Sequence, residues 1–244
     1  MTATTSTSPG LRVWAVLVSS IATRARVIGL GTLGVGAIVL GLAIRLAHPA
    51  DRAGAAWSLV DGYGLSLLIP VVALVFASAA LGDPAEDGTL VYLWLRPLPR
   101  WQLALAAFAA SVAVVGPIAV APLVIGAAIA GSGWRVVAAA AAGGMLATVA
   151  YSAVFCGLGL RVRRALAWGL AYLLIWEQAV ARVSHGAARA SLFVNTRSLA
   201  ASIGRHTPPP RNAVAGLTGL IFPLIVTAIA LALTARSLDR GEVT

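Results

Sequence analysis

The 244-residue chain contains no lysine, one cysteine and unusually little charge, and each shortage excludes a class of chemistry. All 18 basic residues are arginine. A Walker-type phosphate loop needs a lysine against the β- and γ-phosphates, so none can be assembled here. Schiff-base catalysis is excluded for the same reason. The lone Cys156 sits inside an apolar run, which leaves no internal disulfide and no thiolate metal cluster. Charged residues make up 11%, against about 25% in an ordinary soluble domain.

What the chain has in abundance is apolar surface: 59% of residues are hydrophobic and the mean hydropathy is +0.91. Lipid is the solvent that suits this composition. A hydrocarbon-spanning helix needs about 20 mainly apolar residues. Six segments approach that length, at about 27–47, 58–81, 101–130, 136–160, 165–182 and 213–235. The expected fold is therefore an all-α integral membrane protein of six transmembrane helices in one domain, residues 1–244. Residues 1–10 read as a disordered cytoplasmic tail rather than a signal peptide, because no basic segment precedes an apolar one. Residues 11–26, with Trp14 and with Arg12, Arg24 and Arg26, read as an interfacial helix; the alternative is an extension of the first span. Span one carries Gly29, Gly31, Gly34, Gly36 and Gly41, a density that lets another helix approach closely. Pro117 and Pro122 are expected to kink span three.

The net charge of +10 alone could suggest nucleic acid. The arginines lie at span ends rather than on a polar domain, so topology explains them better and no nucleic-acid partner is expected. The face shared by the termini and the loops 82–100 and 161–164 holds ten arginines. The short loops opposite carry only Arg45, Arg52 and Arg135. Both termini are thus expected in the cytoplasm, in a bacterial plasma membrane if the alanine- and arginine-rich composition reflects a GC-rich genome.

The segment 81–100, LGDPAEDGTLVYLWLRPLPR, interrupts two apolar runs. Asp83, Pro84 and Glu86 read as a helix start of capping-box type. The helix would continue to about Leu95, because Pro97 pushes Arg96 toward extended backbone. Leu90, Leu93 and Trp94 then form an apolar stripe, with Asp83, Glu86 and Asp87 in the first turn. A plain turn between spans needs only two to eight residues, and this one spends nineteen. A short, stiff cytoplasmic coupling helix is the expectation.

The residues EDGTLVYLWLRPLPR resemble the signature of type-2, exporter-type ABC transporter permeases, in which an acid, Gly-Thr-Leu, an apolar stretch and Pro-x-x-Arg follow in order between spans two and three. The family's motif falls on Glu86 and Asp87, on Gly88, Thr89 and Leu90, and on Pro97 and Arg100. The chain departs from it at Pro84, where many members have a glutamate. A second stretch, AYLLIWEQAVARVSHGAARASLFVNTRSLAASIG, resembles the fifth span and outer loop of that family, its Trp-Glu pair falling on Trp176 and Glu177. The resemblance implies a permease that pairs with a second permease copy or paralogue and with two cytoplasmic ATPase subunits. Those subunits would bind ATP and Mg, so this chain would hold no cofactor or metal and would not itself be an enzyme. Asp83, Glu86, Asp87, Gly88, Thr89, Leu90, Trp94, Pro97 and Arg100 would form the coupling site. The cargo would be hydrophobic or amphipathic, since few polar groups line the spans.

Glu177 reads as the one acid within a span, which makes it a candidate for translocation or gating. Toward the outer leaflet it could instead bond Gln178, Arg182 or interfacial water. His48, His185 and His206 lack zinc-site spacing, and Gly131-Ser132-Gly133 lacks the strand-to-helix context of a nucleophile elbow. In the 183–212 outer loop, Leu192, Leu199 and Ile203 share a helical face, so a surface helix could cap the outer mouth. Two other classes stand beside the exporter: a non-transporting membrane scaffold coupled to an ATPase, and an intramembrane enzyme, which the lack of a nucleophile–base pair disfavours.

Overall fold

A computed structural model describes residues 9–88, 99–180, 188–205 and 212–240, with helices as the only regular elements among them. We number them α1 (Pro9–Ile21), α2 (Arg24–Ala47), α3 (Arg52–Glu86), α4 (Arg100–Ile129), α5 (Trp134–Arg161), α6 (Ala165–Ala171, continued as a π-helix over Tyr172–Val180), α7 (Leu192–Gly204) and α8 (Gly216–Arg240). Five of these, α2, α3, α4, α5 and α8, are long and apolar enough to cross a membrane. The chain is thus an all-α, multi-pass membrane protein by length and composition of its helices.

Burial ranks the spans. In the most apolar window of α3, 78% of residues are buried inside the bundle, and in α5 67%, against 17% for both α2 and α8. α3 and α5 are therefore the central pair. Small residues bring them together: a Cβ at Gly159 would collide with the Ser78 carbonyl, and Gly82 faces Gly159 in return. The glycines of α2 do the same against α4. Gly41 lies against the Gly126 backbone and Gly34 against the Ile118 carbonyl, whereas Gly29 and Gly31 face open space.

Two ends can be told apart by their contacts. At the Arg100 end, Arg26 meets Asp83, Arg161 meets Ser237, and Arg100 donates to the Leu238 carbonyl. At the Gly131 end, Gly131 and Gly133 take positive φ in the tight turn between α4 and α5, and Gly204 faces Ala139 and Trp57. Among the described residues, three π-helical stretches interrupt the α-helices: Leu59–Leu68 in α3, Gly116–Val120 in α4 and Tyr172–Val180 in α6. Of the two prolines expected to kink α4, Pro117 lies in the second stretch and Pro122 in the α-helical turn that follows.

Four sequence expectations change. Arg24 and Arg26 belong to the first turn of α2, not to the preceding helix, and Pro9 and Gly10, expected in a disordered tail, open α1. α1 does not simply lie on a surface, because Leu17 and Ile21 are buried in the core. The segment 165–182 is helical over its 16 described residues, with 181 and 182 outside them. Finally, Asp83, Pro84, Ala85 and Glu86 continue α3 rather than starting a new helix.

Candidate functional site

α3 runs through Asp83 and Pro84 without interruption and ends at Glu86. The Asp87 N–H donates to the Asp83 carbonyl at 2.9 Å, so Asp83 serves the helix interior rather than capping a new one. Its carboxylate is engaged elsewhere: Oδ2 accepts from Arg26 Nη1 at 2.7 Å. Gly88, with φ +67°, is the left-handed residue that closes the helix, and its N–H reaches the Ala85 carbonyl at 3.3 Å. A helix over 83–95 would need Gly88 in right-handed conformation, so the capping-box reading is corrected here. The motif's Gly is a stop signal, and the acids are a last turn rather than a first.

That last turn is the exposed tip of a long central helix. Glu86, Asp87 and Gly88 are exposed, and Glu86 and Asp87 share an open cleft with Arg163 and Arg164 of the α5–α6 turn. Behind it a pocket of about 170 Å³ reaches inward past Arg26, Ser78, Asp83 and Gly159. Thr89, Leu90, Trp94 and Pro97 lie outside the described residues. Arg100 opens α4, with Nη1 donating to the Leu238 carbonyl and Nε 3.9 Å from Asp239 Oδ1. The structure thus brings Asp83, Glu86, Asp87 and Gly88 together and ties Arg100 to α8.

Glu177 is built into a second site. It lies in the π-helical stretch of α6 and is buried, 1% exposed. Oε1 accepts from the Tyr172 hydroxyl at 2.6 Å and from the Leu192 N–H at 3.1 Å. Oε2 accepts from the Ser191 hydroxyl and from the Phe193 N–H at 3.1 Å. Of the partners expected from sequence, the side chain of Gln178 and all of Arg182 lie outside the described residues. Ser191 is the N-cap of α7, and its oxygen also accepts from the Val194 N–H at 3.1 Å. Together the two side chains satisfy the first three N–H groups of α7.

The reason lies in where α7 begins. Gly204 faces Ala139 and Ala200 faces Gly143, so α7 runs antiparallel to α5 from the Gly131 end inward. Its N-terminus reaches the level of Tyr151, whose ring stacks on Phe155, which in turn meets Tyr172 edge-on. Tyr151 lies ten residues from the end of α5 at Arg161, about 15 Å at 1.5 Å per residue. This helix end lies within the bundle rather than at either surface. Glu177 accordingly sits deep, not toward an outer surface. Unsatisfied N–H groups there would cost several kcal/mol each, and a carboxylate also suits the positive end of the helix dipole.

α7 has a second fastening. Arg197 Nε lies 2.7 Å from Asp61 Oδ1, with side chains 23% and 15% exposed, linking α7 to the π-helical stretch of α3. Ser198 Oγ accepts from the Val214 N–H at 3.1 Å, and Gly219 of α8 lies against the Asn195 carbonyl. The helix expected as a surface cap on Leu192, Leu199 and Ile203 is instead packed into the bundle. Phe193, Asn195, Thr196 and Ala200 are buried along with Leu192.

Sequence reasoning missed Asp61, Arg197, Ser191 and Tyr172. Asp61 is a second acid inside a span, readable as a charge within the 58–81 apolar run. Ser191 before an apolar run carries an N-cap signal. Among the described residues no group of histidine, cysteine and acids could hold a metal ion. No family model matches the chain, and no curated protein matches it.

Proposed function

We propose that this chain is the membrane-spanning permease subunit of an ATP-driven ABC exporter. It would act with two cytoplasmic ATPase subunits and a second permease copy or paralogue, moving a hydrophobic or amphipathic cargo across a bacterial plasma membrane. Six passes with both termini in the cytoplasm fit the arginine bias. In this reading α6 and α7 share one crossing.

The observation that carries the reading is α3. One continuous helix of 35 residues, about 50 Å long, ends in the exposed Glu86–Asp87–Gly88 tip. Toward its other end it holds α7 through Asp61 and Arg197. A partner that grips the tip and the neighbouring Arg163–Arg164 turn therefore has a stiff rod leading to the helix packed at the Gly131 end. Nucleotide-driven closure of two ATPase subunits would tilt α3, and α7 would move with it. Glu177 is the opposing anchor, so α7 would pivot on its capped N-terminus. The permease-like motif at Glu86–Arg100 adds the identity of the partner.

Co-purification tests this. The tagged chain should retain an ATPase with Walker motifs, and reconstituted complex should hydrolyse ATP faster with one cargo from a lipid and drug panel. Glu86→Ala or Gly88→Pro should insert normally yet lose the ATPase or its coupling. Proline holds φ near −65° and cannot form the left-handed stop at 88. Retention of full coupling in both variants, or the absence of any ATPase from the purified complex, would sink the reading. An ATPase rate that ignores every cargo would favour the scaffold instead.

A further inference from the structure

We propose that the groove between α5 and α8 is a binding site for one anionic phospholipid, with an acyl chain along the groove and the phosphate at Arg161. The groove, about 240 Å³, is floored by Gly157 with Val154 and Leu158 on the α5 side and by Ala230, Leu233 and Thr234 on α8. These positions form matching stripes. On α5 they fall at i, i+3 and i+4, and Arg161 continues the series at i+7. On α8 the series 230, 233, 234 continues to Ser237 at i+7 and to Arg240 one turn later.

The site therefore changes character along its length in the way a phospholipid does. Its lower part offers almost no polar group. Gly157 makes the depression, since a Cβ there would come within 2.8 Å of Thr234 Oγ1. At the mouth, Arg161 is exposed and held across both helices, Nε donating to Ser237 Oγ at 2.7 Å and Nη2 to the Leu233 carbonyl at 3.1 Å. A guanidinium stays charged at any physiological pH, so exposed Arg161 places a fixed positive charge at the end of the apolar groove, where a phosphate would lie. Arg236, Arg163 and Arg240 are exposed around the same bundle end. Of the described acids at this end, Asp239 lies 3.9 Å from Arg100, and Glu86 and Asp87 share a cleft with Arg163. Charge and shape together select a lipid over a soluble phosphate, because the apolar length of the groove has no counterpart in a small anion. The groove opens on the flank of two spanning helices, where lipid is the surrounding medium.

The test uses the full chain in nanodiscs containing a trace of phosphatidylglycerol or phosphatidylcholine, each with the same diazirine-bearing acyl chain. Photolabel should map to peptides spanning 154–162 and 230–234. The anionic lipid should label them about fivefold more, the effect of one arginine near a charged surface. Ala230→Leu fills the groove and should remove the label while thermal unfolding stays unchanged. Arg161→Gln should abolish the preference for the anionic lipid and Arg161→Lys should keep it. Equal labelling by both lipids, or labelling no stronger than on the open face of α2 at Val35 and Val39, overturns the proposal. So does loss of preference in the Lys variant, which would leave Arg161 only its bridge between helices.

Discussion

Among the described residues, each oxygen of Glu177 accepts one hydroxyl and one backbone N–H, so substitutions there separate charge from hydrogen bonding. In Glu177→Ala the two hydroxyls can rotate to other acceptors, but the Leu192 and Phe193 N–H groups cannot. Two orphaned buried donors cost about 2–6 kcal/mol together. Glu177→Gln keeps one acceptor oxygen, and its amide NH₂ faces a single backbone N–H, for a loss of about 1–3 kcal/mol. Thermal unfolding in detergent should therefore rank wild type above Gln above Ala. An Ala variant as stable as wild type would show that the cap does not hold α7. The same pair of variants separates anchoring from gating, because Gln preserves most of the packing while removing the charge. Export lost in Gln at near-normal stability would assign the charge a role in transport.

At the scale of elements, α7 is a short helix held by three neighbours of different kinds: a carboxylate at its N-terminus, an ion pair to α3 and close packing on glycines of α5 and α8. A double-mutant cycle on Asp61→Asn and Arg197→Gln should give a coupling energy of about 1–3 kcal/mol, well above an exposed pair, because both side chains are mostly buried. A coupling energy near zero would remove the rod-to-α7 connection. The two short helices also show where sequence patterning stops being legible. Apolar length alone located the five long helices to within a few residues at most ends, and three of the five glycines of α2, Gly34, Gly36 and Gly41, lie where a neighbouring helix comes close. The helix at 192–204 was only half visible. Its large aliphatics suggested a surface stripe, whereas the packing is carried by Thr196, Ala200 and Asn195, which a hydrophobic period does not register. The Asp83–Pro84–Glu86 pattern misled for a related reason. Local capping signals compete with long-range partners, and Arg26, 57 positions away, claims Asp83. Asp61 stands out in sequence as a charge within an apolar run, but only the fold shows that Arg197 is its partner.

For the molecule as a whole, the order of its helices makes a demand that can be checked without knowing any partner. Arg164 lies beside Glu86 at the Arg100 end, its backbone N–H 3.5 Å from the Glu86 carboxylate, while Gly204 and Gly216 lie at the Gly131 end. The chain therefore passes from one end of the bundle to the other between α6 and α8. No single described helix there is long enough to do it: α6 supplies 16 residues and α7 13. Laid end to end at 1.5 Å per residue they match about 40 Å, enough for one crossing only if the two are used in sequence. Cysteine labelling can test this on a nearly silent background, since Cys156 is fully buried. Single replacements at Ala50 and Arg205 should react with a membrane-impermeant maleimide on one side of the membrane. Those at Asp87 and Arg163 should react on the other. With the termini in the cytoplasm, the first pair labels in intact cells and the second only after permeabilisation. The decisive comparison is Arg163 with Arg205, which bracket the broken crossing. If both label from the same side, α6 and α7 form a hairpin that returns to its starting face, and the rod-and-pivot mechanism loses the helix it is meant to move.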